Sequence, residues 1–210
     1  MVKKYSSIKS IILPCKSINY FVIIVLFLGI ILGAIFSTII SINDKNLVIE
    51  KVKLFIDNIN NNSLDHLLVF KNSIGINFLY IFLIWILGMS LIGIVINILL
   101  LFIKSFIFSF SIATFILTYG YKGIILSSIY LIFGQLLNLI CVLILTIYSI
   151  MFTIKLFKTI LRKNTNNELL IFLKNYLLIL IFTIILSIVS SLSESFILPA
   201  LIKIIIKLFL

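Results

Sequence analysis

Residues 20–42 run for 23 positions without a charged side chain, and further runs of the same kind follow. A backbone inside hydrocarbon has no water to satisfy its amides, so such runs must close their own hydrogen bonds as helices. About 20 apolar residues suffice to cross a bilayer core. The wider composition agrees: 63% of residues are hydrophobic, 11% are charged and the mean hydropathy is +1.36. A soluble domain of this make-up would leave much apolar surface in water. A transmembrane barrel needs short strands that alternate polar and apolar, whereas these runs are apolar on every side.

The expected fold is all-α: one integral membrane bundle over 1–210, with five crossings. A basic tail at 1–19 carries Lys3, Lys4, Lys9 and Lys16. The first crossing covers 20–42. A polar segment at 43–73 follows, in which Val48, Val52, Phe55, Ile56 and Ile59 share one helical face and Glu50, Lys53 and Asp57 the other. That pattern predicts an amphipathic helix resting on the outer membrane surface. The second run covers 75–103 and ends at Lys104. The third, 105–119, has only 15 residues and is expected to cross short or to fold back as a re-entrant segment. A turn bracketed by Gly120 and Gly123 leads to a fourth run at 123–154. The densest basic cluster, Lys155, Lys158, Arg162 and Lys163, marks a loop at 155–168, and the fifth run covers 169–192. The tail 194–210 reads as an amphipathic segment, with Lys203 and Lys207 one turn apart. Basic residues favour the cytoplasmic side. With the N-terminus in the cytoplasm, ten of the 17 fall inside and seven outside. The net charge of +11 fits loops that meet anionic headgroups, and membrane lipids are the expected contacts. No basic patch carries an aromatic platform, so nucleic acid is not expected as a partner.

Several residues invite a closer reading. Gly29 and Gly33 form a GxxxG pair, and Ser105 and Ser109 a small-residue seam; both are candidates for close helix packing or for docking a partner's anchor. Gly88 and Gly93, in the second run with Trp85 and Asn97, are candidates for the same helix packing or partner docking. Gln135 and Asn138 sit within the fourth run, where an amide facing lipid is costly, so they are expected to face protein or a ligand. Glu194 is the one acid near a membrane segment. It is either a functional intramembrane group or a solvated residue at a helix end. Catalysis finds little support. His66 is the only histidine, the serines have no partnered base, and there is neither a glycine-rich phosphate loop nor a metal-ligand cluster. The expectation is a non-enzyme without cofactors. Cys15 and Cys141 are expected to stay unpaired.

Read in order, the chain resembles the stage II sporulation protein M family over 20–202. The anchors are Gly29-Ile30-Ile31-Leu32-Gly33-Ala34; Trp85-Ile86-Leu87-Gly88 with Ser90 and Gly93; Leu101-Phe102 with Lys104; and Phe110 and Phe115. Gly120, Lys122 and Gly123 match the family's short turn, Gln135 its internal polar residue, and Ser190-Ser191-Leu192, Glu194, Phe196 and Pro199 its C-terminal signature. The chain departs from the family at Ser105 and Ser109, where glycines are usual, and it lacks a proline beside Gln135. The resemblance implies a scaffold of the sporulation engulfment machinery in the septal, mother-cell membrane. Such a scaffold recruits two peptidoglycan hydrolases, stage II sporulation proteins D and P, and has no lytic activity of its own. The rival expectation is a small-molecule or lipid permease, or an accessory subunit of a transport complex, built around Gln135 and Asn138.

Overall fold

The computed structural model describes residues 16–162 and 166–209, with the side chains of 162, 166–169, 208 and 209 left out of the description. Residues 1–15 with Cys15, Lys163, and the side chains of Arg162 and Glu168 therefore lie outside it. The described residues form helices: α1 (Lys16–Ile39), α2 (Ile42–Asn60), α3 (His66–Leu87), α4 (Leu91–Tyr119), α5 (Tyr121–Ile129), α6 (Leu136–Arg162), α7 (Asn166–Leu192) and α8 (Leu198–Phe209). One π-turn, Tyr130–Gln135, joins α5 to α6, and another, Ser193–Ile197, joins α7 to α8. Among these residues five helical stretches are long and apolar enough to cross a membrane: α1, α3, α4, 121–161 and 170–207. The chain is thus an all-α polytopic bundle.

The crossings are cut differently from the hydropathy pattern. The second one starts at His66, inside what reads as loop, because the Asp65 carboxylate accepts from the Leu67 and Leu68 amides and caps the helix. It ends at Leu87, inside what reads as a continuous apolar run. The short or re-entrant third segment is corrected to α4, a helix of 29 residues spanning about 43 Å. Lys104 consequently lies in mid-helix, buried, with its ammonium 5.0 Å from the centre of the Tyr80 ring. It no longer counts as a loop cation.

The break at 88–90 costs hydrogen bonds that lipid cannot replace, and the bundle supplies them. Tyr176 Oη donates to Trp85 O at 2.9 Å and Thr153 Oγ1 to Gly88 O at 2.5 Å, while Asn97 Nδ2 adds a 3.0 Å bond to Ile84 O, which also accepts from Gly88 N. Gly93 is required here, since a Cβ would run into the Leu87 backbone. At the other end Gly120 turns the corner between α4 and α5 with φ of 57°.

α1 runs parallel to α4, and the two meet along Gly29 and Gly33 on one side and Phe102, Ser105 and Phe106 on the other. Around the Gly88 end, Val22, Ile84, Leu101, Leu145, Phe152 and Tyr176 belong to one apolar core, with the Phe152 and Tyr176 rings stacked at 4.6 Å. A second core at the Gly120 end joins Ile56 and Ile59 of α2 to Phe115, Leu126, Leu198, Ile202 and Ile206. The amphipathic helix therefore lays its apolar face on α4 and α8, where the sequence pattern puts it on the lipid surface. Its polar residues Glu50, Lys53 and Asp57 face outward.

Candidate functional site

The two π-turns face each other in the Gly120 half of the bundle. A π-turn widens the helix and displaces carbonyls from their usual partners. Here serines of the opposing strand of chain supply donors: Ser193 Oγ bonds Phe133 O at 2.5 Å and Ser190 Oγ bonds Gly134 O at 3.3 Å. His66 closes the second turn from the loop side. Its Nδ1 lies 2.7 Å from Ser195 O, and a carbonyl only accepts, so Nδ1 carries the proton. The ring stacks on Phe196 at 5.7 Å.

Between the turns sits Glu194. Ser73 Oγ donates to its Oε2 at 2.5 Å and Gln135 Nε2 to its Oε1 at 2.8 Å. Behind Ser73, Asn77 Nδ2 reaches Ser73 Oγ at 3.3 Å and Ser191 Oγ at 3.1 Å, and Asn138 Nδ2 donates to Asn77 Oδ1. Tyr130 opens the π-turn that ends at Gln135, and its ring centre lies 5.2 Å from that of Phe115. Lys104 attracts the carboxylate electrostatically from within α4. Burying so many polar groups is tolerable because most of them satisfy one another; Asn138 Oδ1 is buried without a hydrogen-bond partner among the described residues. Of the roughly four acceptor sites of a carboxylate, these hydrogen bonds use two. Glu194 also lines a cavity of about 320 Å³ beneath α2. Chemically the arrangement is a fixed acceptor in an apolar setting. Among the described residues, no group of three or more His, Cys, Asp and Glu side chains is arranged to hold a metal ion.

The model of the stage II sporulation protein M family matches residues 22–199. The chain belongs to that family. No curated protein and no solved structure matches it. The family match starts at Val22 in α1 and ends at Pro199, just past the second π-turn, so the whole polar constellation lies within it. This is a sporulation-family membrane protein, and its family-matched core is the bundle that holds Glu194.

Gln135, Asn138 and Glu194, separate in the sequence, come together in one network through Ser73 and Asn77. Gly29, Gly33 and Ser105 lie in the contact between α1 and α4, with Ser109 one turn further along the buried face of α4, so this seam is filled within the chain. Gly88 packs against Ser149 and Tyr176, and Gly93 against the Leu87 backbone. Cys141 is free and buried. Sequence reasoning passed over Ser73, Asn77, Tyr130 and Ser193, and took Ser191 only as part of the C-terminal signature. Ser73 and Asn77 carried a usable signal, two polar side chains one turn apart on one face of an apolar helix. Ser191 and Ser193 carried none, because a serine in a membrane helix ordinarily bonds its own preceding turn.

Proposed function

We propose that this protein is a non-enzymatic scaffold of the engulfment machinery, which recruits the peptidoglycan hydrolases stage II sporulation proteins D and P to the septal membrane. In this reading the N-terminus is cytoplasmic and the Gly120 end faces the space where the wall is remodelled. The observation that carries it is α2: an amphipathic helix clamped to the bundle by Ile56 and Ile59 while Glu50, Lys53 and Asp57 point away from it. A charged face held rigidly at one end of a membrane bundle suits the capture of an extracytoplasmic partner, because little ordering entropy is lost on binding. The buried polar groups support the same reading. Asn97, Thr153, Tyr176 and Ser193 hydrogen bond to backbone carbonyls of neighbouring helices and so stiffen the platform.

The test is affinity purification of the tagged chain from detergent-solubilised sporulating cells, with partners identified by mass spectrometry. Enrichment of the two hydrolases over a tagged control membrane protein is expected. Reversing Glu50, Lys53 and Asp57 together should reduce it with the chain still inserted. An intact, abundant chain that brings down neither hydrolase would sink the scaffold reading.

A further inference from the structure

The cavity beneath α2 has a chemistry that scaffolding alone does not use. Its volume of about 320 Å³ falls in the range of small-molecule pockets. The walls are apolar: Val52 and Phe55 from α2, Phe110 and Phe115 from α4, Leu198 and Pro199 beyond the second π-turn. Two charges of opposite sign break that lining. Glu194 presents a carboxylate from the interior, and Lys51, exposed on α2, stands at the edge. Glu194 is held from behind by Ser73 and Gln135, so its direction is fixed while part of its acceptor capacity stays unused. The Tyr130 ring and Thr114 line the same space.

We propose that this cavity binds an aminophospholipid, with the primary ammonium of the headgroup on Glu194, its phosphate towards Lys51 and apolar chain against the phenylalanine walls. Each part of the ligand follows from a part of the site. A carboxylate in an apolar enclosure selects a cation that donates hydrogen bonds, because a charge-assisted bond there is strong and an anion is repelled. A lysine lining the same cavity matches the phosphate of a zwitterionic head. Apolar walls at the end of a membrane bundle, under an amphipathic helix, sit where the chains and heads of lipids meet. An anionic lipid without an amine meets Lys51 but not Glu194, so it should be held less well. This assignment is independent of the scaffold reading and of which hydrolases are recruited.

Native mass spectrometry of the purified full chain in neutral detergent tests it, with phosphatidylethanolamine and phosphatidylglycerol titrated separately. The wild type should retain phosphatidylethanolamine about tenfold better. Glu194→Gln should erase that preference, and Val52→Trp, which fills the cavity from α2, should lower retention of phosphatidylethanolamine by a similar factor. Circular dichroism checks that both variants keep their helices. Equal retention of the two lipids by the wild type would overturn the proposal, as would an unchanged preference in both variants. Competition by free phosphoethanolamine at the same concentration as the lipid would overturn the membrane source and make a soluble amine the ligand. Loss of a co-purifying protein from Val52→Trp, with no lipid preference in the wild type, would place a partner segment in the cavity instead.

Discussion

Two glycines in spanning helices should respond to the same substitution with clearly different outcomes. A Cβ on Gly33 would lie 3.1 Å from both the Cα and the carbonyl carbon of Phe106, and closer still to Phe106 O. Carbon atoms prefer about 3.5–4.0 Å. The obstacle is the backbone of α4, which cannot rotate away as a side chain can, so α1 has to lift. Opening a packed seam by 0.5–1 Å forfeits roughly a quarter to a half of the dispersion along it. That seam includes the Phe36 ring, 5.5 Å from Phe106 and 6.0 Å from Phe110. A Cβ on Gly75 meets nothing within 4 Å. Both sites are helical, so the gain in helix propensity from glycine to alanine, up to ~1 kcal/mol, applies to both and drops out of their difference. What remains is the overpacking cost at Gly33, about 1–3 kcal/mol. Gly33→Ala should therefore be less stable than Gly75→Ala by that amount, with Gly75→Ala at or above the wild type. Unfolding in mixed micelles over a range of SDS fractions, followed by far-ultraviolet circular dichroism, measures the gap. Coincident unfolding curves for the two variants would refute the α1–α4 contact geometry.

Four further expectations follow from the hydrogen bonds. Ser193→Ala removes the one hydroxyl shared by Phe133 O and Ser190 O, and should cost roughly 0.6–1.7 kcal/mol in the same unfolding assay, the range of side-chain hydrogen bonds in a membrane bundle. Asn97→Leu removes the buried interhelical bonds to Ile84 O and Ser149 Oγ, and should cost roughly 0.6–1.7 kcal/mol; an unaltered midpoint would mean that these bonds do not hold α4 to its neighbours. His66→Ala should speed amide hydrogen exchange around 195–200 while leaving global stability within ~1 kcal/mol, because it frees one carbonyl and one stacked ring at the edge of the bundle. Lys203→Ala, which removes a bond to Asn62 in an exposed position, should fall within about 0.5 kcal/mol of the wild type.

Some of the site was readable in advance, and some was not. Gln135, Asn138 and Glu194 stand out because a polar group in an apolar run has to be accounted for. Their partners did not stand out: a serine in a membrane helix looks the same whether it bonds its own turn or, like Ser193, a carbonyl 60 residues away. The glycine pair of α1 announced a close approach, but the identity of the other surface required the fold, which places Phe102, Ser105 and Phe106 there. The helix break at 88–90 was missed because hydropathy measures transfer to lipid, and glycine, methionine and serine hardly alter it. Its local marks were Gly88, Ser90 as a possible cap, and Gly93.

By itself the sequence determined the solvent, the helical class and the number of helical stretches apolar enough to cross a membrane. Each of these follows from runs of apolar residues, and such runs express a local requirement, that backbone amides in hydrocarbon bond within their own segment. Tertiary structure alone decided which polar groups meet, where Lys104 lies, that α2 rests on the protein, and that two π-turns enclose a carboxylate above a cavity. Those outcomes depend on register and rotation between helices. In lipid these are set by close packing and by hydrogen bonds between distant residues, neither of which leaves a periodic trace along one chain.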